Sequence, residues 1–328
     1  MEGGEIVRAI VISEVGGAEE LVYSEAADPS AGPDDLVVEV EAAGVNFIDI
    51  YHRSGFYDLE LPMIPGLEGA GIVLAVGSNV DGFELGDRVG WADVRASYAE
   101  RIALPAGRAV PLPEGVDSKT AAAVLLQGLT AHFLASDTFP LSAGDRCLIH
   151  AGAGGVGLLL TQIAKLRDAE VFTTVGSQEK AELSRAAGAD HVIVYTDTDF
   201  KTAVEAIAGQ NAMEVVYDGV GAATFEQGMD LIRPRGMMVT FGNASGRPPD
   251  ISPLILATKG SLYLTRPTMR HYIGDRAELL RRASDLFRWI EDDRLRVRIG
   301  AEFPLADAAD AHRALEGRST TGKVILLP

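Results

Sequence analysis

The stretch IHAGAGGVGLLLTQIAKL, residues 149–166, concentrates four glycines, Gly152, Gly154, Gly155 and Gly157, within six positions. An apolar run precedes them, and Val156, Leu160, Ile163 and Ala164 follow at helical spacing. Glycine weakens helices and strands alike, so four at one junction point to a large group approaching the backbone. Gly152-Ala153-Gly154-Gly155-Val156-Gly157 fits G-x-G-x-x-G after a strand and at the head of a helix, the context of dinucleotide binding. In that pattern the first glycine permits the sharp turn and the second removes the Cβ that would block a pyrophosphate. The third lets the helix pack close to the strand. The helix N-terminus adds unpaired N–H groups and a partial positive charge. No Lys-Ser or Lys-Thr follows at Walker spacing, which leaves a nicotinamide or flavin dinucleotide.

The next strand narrows the choice. Sites that prefer NAD carry Asp or Glu at its tip, on the ribose hydroxyls. Here VFTTV ends in Gly176-Ser177-Gln178-Glu179-Lys180, with no carboxylate at Gly176-Ser177. Ser177 can bond to a 2′-phosphate and Lys180 can pair with it. The residues therefore point to NADPH.

The elements that position these groups alternate from Gly144 onward: strand, helix, strand, repeated to a sixth strand in GSLYLT. Short β-branched runs between helices imply a parallel sheet covered on both faces. The first 120 or so residues differ. DDLVVEVEAAG alternates apolar and polar residues, and short strands sit between glycines, as in a compact barrel-like β domain. After Leu264 come a long helix, a short strand, a helix and a last strand, GKVILL. That tail is too small for a third domain and is expected to pack on the N-terminal part, with the parallel sheet inserted between two segments of the first domain.

Composition excludes several classes. The chain has 328 residues, room for two domains, with 47% apolar and 23% charged residues. Its net charge of −18, without a basic run, argues against nucleic acid and anionic membranes. MEGGEIVRAI opens acidic and then reads as a strand, unlike a secretory leader. AAAVLLQGLTAHFLA is broken by Gln127, Gly128, Thr130 and His132, and reads as a buried helix. The single cysteine, Cys147, excludes an internal disulfide, suits a reducing cytoplasm, and lies in an apolar strand as inert core.

PGLEGAGIVLAVGSNV then becomes informative. Gly66, Glu68, Gly71, Gly77 and Val80 resemble the signature of zinc-type medium-chain alcohol dehydrogenases. That family has a zinc-binding histidine where Leu67 stands, and a catalytic cysteine near Asn46. The six histidines show no paired ligand spacing, and a catalytic zinc needs about three protein ligands. No metal is expected. The whole chain instead resembles the zinc-free branch of that superfamily, the zeta-crystallin-like NADPH:quinone oxidoreductases, nearest the bacterial members. The stretches that carry the resemblance include GVNFIDIYHRSGFY, GLTAHFL, VVYDGVG, FGNASG, KGSLYLTRP and RSTTGKVILLP.

The resemblance implies an α/β fold: a GroES-like split β-barrel catalytic domain, residues 1–124 and 266–328, with an inserted Rossmann domain of doubly wound parallel sheet, residues 125–265. It implies a cytoplasmic, homodimeric enzyme that transfers a hydride from NADPH to a quinone or other activated carbonyl in the interdomain cleft. Candidate catalytic residues are Asn46, Asp49, Tyr51 and Tyr57. The two tyrosines either donate hydrogen bonds to the acceptor oxygen or only line the wall. Asn46 can bond the carboxamide or the acceptor, and Asp49 the carboxamide amine or its own loop, which also holds His52 and Arg53. Cofactor contacts are implied at Asn46, Thr130, Gly152, Gly154, Gly155, Val156, Gly157, Gly176, Ser177, Lys180 and Tyr195. Further contacts are implied at Phe241, Gly242, Asn243, Ala244, Thr265, Arg266 and Arg318, with Tyr195 near the 2′-phosphate. Two departures affect the cleft: Phe133 stands for a tyrosine of the family and Gly219 for a serine. Reduction of an enone or 2-alkenal with NADPH is the main alternative. A structural or RNA-binding role with NADPH as a mere ligand is the alternative outside enzymes.

Overall fold

The computed structural model describes residues 6–328; the acidic opening, residues 1–5, lies outside them. The chain groups into two compact units.

One unit is Thr130–Tyr272 with Arg294–Arg296. Six parallel strands run His191–Val194, Glu170–Val175, Arg146–Ile149, Met213–Asp218, Ile232–Thr240, Tyr263–Thr265 across the sheet. Counted along the chain, that order is third, second, first, fourth, fifth, sixth, a doubly wound sheet. Most buried strand positions are apolar because helices cover the faces: Leu148, Phe172, Val216 and Met238 pack with Phe200, Val204 and Met229. The order reverses between Arg146–Ile149 and Met213–Asp218, and ligands bind at the carboxyl ends flanking such a point. Cys147 is fully buried in the first of these strands, and burial pushes its thiol pKa far up, so it is inert core.

The other unit comprises residues up to Leu129 with Ile273–Asp293 and Val297–Pro328. Strand Asp35–Val45 is its spine, pairing antiparallel with Glu68–Val76, Arg101–Pro105 and Lys323–Leu327. The last strand thus joins the sheet begun by the first hundred residues, and Ile299–Pro304 lies parallel beside it. Trp91, Tyr98, Ile10, Leu36, Leu104 and Leu326 fill the core. The alternation in DLVVEVEAAGV places Leu36, Val38 and Val40 inside.

The change of unit falls inside helix Ser118–Phe133, which continues into a π-helical turn, Leu134–Thr138. Ala121–Leu125, Leu129 and Ala131 along it are all buried, so composition carries no mark of a boundary there. Residues 294–296 group with the parallel-sheet unit through paired bonds between Gln162 and the Arg296 backbone. Among the described residues no helix is long and apolar enough to cross a membrane.

Candidate active site

At the glycine junction, the left-handed turn residue is Ala151, at φ 56°, while none of the four glycines has positive φ. Gly152 is needed for packing instead: a Cβ there would come within 2.6 Å of the Thr173 side chain. A Cβ on Gly157 would come 2.2 Å from the Ala151 carbonyl, so the helix can start close to the turn only without one. Gly154 differs. Its Cβ position has one close neighbour, the Ala151 carbonyl oxygen at 3.2 Å, and the next is at 4.0 Å, so it is less confined than Gly152 or Gly157. Helix Gly155–Lys165 begins there without a side-chain cap, and Leu158 N–H is the first to bond back, to Gly154 O at 2.9 Å. The N–H groups of Gly155, Val156 and Gly157 therefore have no intrahelical acceptor. A pyrophosphate fits this arrangement of donors and missing Cβ.

The neighbouring strand tips bring further polar residues to the same end of the sheet. Tyr195 N–H bonds to Val175 O at 3.0 Å, and its hydroxyl lies 2.7 Å from where a Gly176 Cβ would stand. Ser177 caps helix Gln178–Ala186, its Oγ accepting from Lys180 N–H at 3.3 Å. Gly176, Ser177, Lys180 and Tyr195 thus share one corner. Across the sheet, Phe241–Ala244 follow strand Ile232–Thr240. Arg266, just after strand Tyr263–Thr265, donates to Thr240 Oγ1 at 3.1 Å and Gly242 O at 3.4 Å. With its amide oriented by these neighbours, Asn243 Oδ1 accepts from Arg266 Nη2 at 2.8 Å. A Cβ on Gly219 would approach the Phe241 ring to 3.0 Å, so glycine rather than serine suits the ring's position. Phe133 is buried and stacks flat on Tyr272, ring centres 4.2 Å apart, a contact that needs no hydroxyl. Thr130 is buried in its helix, and Arg318 stands at φ 55° after helix Ala308–Glu316.

In the barrel unit, the segment expected as a loop contains a seven-residue helix, Phe47–Arg53. Asp49 caps it, Oδ2 accepting Asn46 N–H at 2.8 Å, and Asp49 is fully buried. Tyr51 and Tyr57 meet edge to face at 6.0 Å, with Phe56 against both rings. Tyr57 is 38% exposed, so this aromatic wall has one face toward solvent. Burial and Arg95 push His52 down to about 4, and it is neutral near pH 7.

Behind the helix lies a buried set of charges. Lys323 Nζ donates to Glu68 Oε2 and, at 2.7 Å, to Asn46 Oδ1. Asn46 Oδ1 also accepts from Gln127 at 3.1 Å, and Asn46 Nδ2 donates to Glu68 Oε2 at 2.9 Å and Gly44 O at 3.3 Å. Asn46 is only 3% exposed and its amide is fully used inside the protein. Glu68 Oε1 accepts Leu126 N–H at 2.6 Å. Burial pushes Lys323 down, and the charges of Glu68 and Asp49 oppose that.

The Alcohol dehydrogenase GroES-like domain model matches residues 32–114, and the Zinc-binding dehydrogenase model matches residues 155–288. A quinone oxidoreductase of Pseudomonas aeruginosa is 42% identical over 98% of this chain and 100% of its own length. The quinone oxidoreductase of Escherichia coli in complex with NADPH superposes with a TM-score of 0.96 at 39% identity, covering 98% of this chain and 100% of that one. This chain belongs to the quinone oxidoreductase family of medium-chain dehydrogenases/reductases. A 2-haloacrylate reductase of Burkholderia is similar as well, 37% identical over 98% of this chain and 99% of its own. In this member of the family, no group of three or more His, Cys, Asp or Glu among the described residues is placed to hold a metal ion. Lys323 did not appear among the candidates in the sequence, and Glu68 appeared only within a signature. A lysine opening the apolar strand KVILL was the available signal, since a buried ammonium requires a partner.

Proposed function

We propose that the protein is an NADPH-dependent quinone reductase that works without zinc. The observation that carries this reading is the full-length likeness to quinone oxidoreductases, one of them complexed with NADPH. When bound, NADPH supplies a hydride equivalent, and a solvent proton completes the two-electron reduction of quinone to hydroquinone. The chain's own residues bind, orient and polarise. N–H groups at Gly155–Gly157 hold the pyrophosphate, while Ser177, Lys180 and Tyr195 hold the 2′-phosphate. Thr130, Phe241–Ala244, Thr265, Arg266 and Arg318 complete the cofactor contacts. The rings of Tyr51 and Tyr57 pack the flat acceptor, and their hydroxyls donate to the oxygen that gains charge. Asn46 and Asp49 hold this wall in place from within. The same site suits a second acceptor class, activated alkenes, a reading favoured by the likeness to 2-haloacrylate reductase. We place the protein in the cytoplasm as a homodimer; the exposed Tyr263 on the sheet's edge strand supports strand-to-strand pairing of two copies.

One panel tests this. NADPH with ortho-quinones should give faster turnover than NADPH with enones, and NADH should bind much more weakly than NADPH. Turnover of enones alone would transfer the assignment to alkene reduction. Replacing Tyr51 and Tyr57 together by Phe should lower quinone turnover with NADPH affinity nearly unchanged; equal turnover would demote both to wall residues.

A further inference from the structure

The hydrogen bonds behind helix Phe47–Arg53 run in one forced direction. Arg53 has donors only, so its Nη1 donates to His312 Nδ1 at 3.3 Å. A neutral imidazole that accepts at Nδ1 carries its proton on Nε2. That Nε2–H donates to Tyr98 Oη at 3.1 Å. Tyr98's single hydroxyl proton is then committed to Asp49 Oδ2 at 3.0 Å. The same Oδ2 takes Asn46 N–H at the head of the helix, while Asp49 Oδ1 is buried without a partner. The chain is anchored at its far end, where Arg53 forks onto Glu316 at 2.7 and 3.1 Å. Tyr98, Asp49 and His312 are all fully buried, so water does not compete for these bonds. Successive bonds of one polarity strengthen one another in such surroundings.

We infer that Tyr98 and His312 are positioning residues: acting through Asp49, they hold the first turn of helix Phe47–Arg53, and with it Tyr51, in the pose the acceptor requires. This rests on the quinone-reductase reading above. The surroundings make the last link sensitive to protonation. Burial pushes Asp49 up to about 7, against the bonds from Asn46 and Tyr98 and the charge of Lys323, while Glu68 pushes it further up. Burial and the Arg53 charge push His312 down to about 3, which keeps it in the neutral form the chain requires.

The test uses the full chain and two variants. Tyr98→Phe deletes the bond to Asp49; His312→Leu deletes only the donor to Tyr98. Quinone turnover is followed against pH at saturating NADPH, and the Asp49 carboxyl is titrated by 13C NMR. In Tyr98→Phe both midpoints should move up by about one pH unit, the size of one lost bond to a carboxylate. They should move less in His312→Leu, with NADPH affinity unchanged in both. A midpoint in Tyr98→Phe equal to the parent's overturns the inference. So does a larger move in His312→Leu, which marks general loosening. If Tyr98→Phe does not fold, His312→Leu decides: an Asp49 midpoint equal to the parent's overturns the relay. If the parent turns over no quinone, the proposed activity fails, and the carboxyl titration still judges the relay.

Discussion

The glycine junction and the helix at Phe47–Arg53 meet one demand by opposite means. Each must present groups at a defined place. The junction does so by omission: side chains are absent where a ligand or a neighbouring backbone comes close, and N–H groups provide the polarity. The helix does so by addition: its own Asp49 and Arg53 are tied to a buried lysine, a second carboxylate, a tyrosine and a histidine behind it. A site made from backbone should resist loss of charge and fail when atoms are added. A site braced by buried charges should do the reverse.

The largest expected effect breaks the second half of that contrast. Lys323→Met leaves Glu68 buried without its cation and should cost about 3–5 kcal/mol in urea unfolding. Adding Glu68→Gln should recover part of the loss, and no recovery would place the damage in packing. Next comes Gly157→Ala, whose Cβ meets the Ala151 carbonyl at 2.2 Å. It should cost roughly 1–3 kcal/mol as an overpacked contact. Gly154→Ala separates binding from folding. Its Cβ meets only the Ala151 carbonyl oxygen, at 3.2 Å, so its melting temperature should fall less than that of Gly157→Ala while NADPH affinity falls about tenfold, or 1.4 kcal/mol.

A pH series sharpens the contrast further. His52 and His312 are pushed down to about 4 and about 3 from 6.5. Their contribution is present above pH 6.5 and is lost as pH falls through those lower values. Asp49 acts oppositely: raised from 3.8 to about 7, its contribution is full below pH 3.8 and is lost as pH rises through 7. Removing one titrating group, by His312→Leu, should flatten the acid fall between pH 6.5 and 4.5 by about 1.4 kcal/mol per pH unit. An unchanged slope would mean that His312 charges in the folded protein. The smallest effect is Ser177→Ala, which removes a helix cap worth about 1 kcal/mol. It should also narrow the preference for NADPH over NADH in a binding titration.

Much of the glycine junction and its neighbouring strand tip was legible in the chain because it is local. Glycine spacing, the strand before it and the missing carboxylate at Gly176-Ser177 all lie within about thirty residues, and parallel strands show as apolar runs. Even so, the turn itself is made by Ala151, since a pattern of glycines does not reveal which residue takes positive φ. The Asn46–Tyr57 segment was legible only as a family motif. Its helix is too short for apolar periodicity, and its capping pair, Asn46 and Asp49, is hidden within a mixed run.

What the sequence by itself determined is the class of ligand and the layering of the parallel-sheet unit. Both follow from steric rules between near neighbours: where a Cβ is missing, where a carboxylate is missing, and which strands are apolar on both faces. What only the tertiary structure decided is the support of the Tyr51 wall. Arg53, Tyr98 and His312 meet across 45 to 259 positions of chain, and Lys323 reaches Asn46 across 277. Nothing in their spacing predicts this. Their burial, their proton directions and the pull on Asp49 exist only once the last strand and helix have closed on the first sheet, because a charge is costly and a hydrogen bond directional only where water has been excluded.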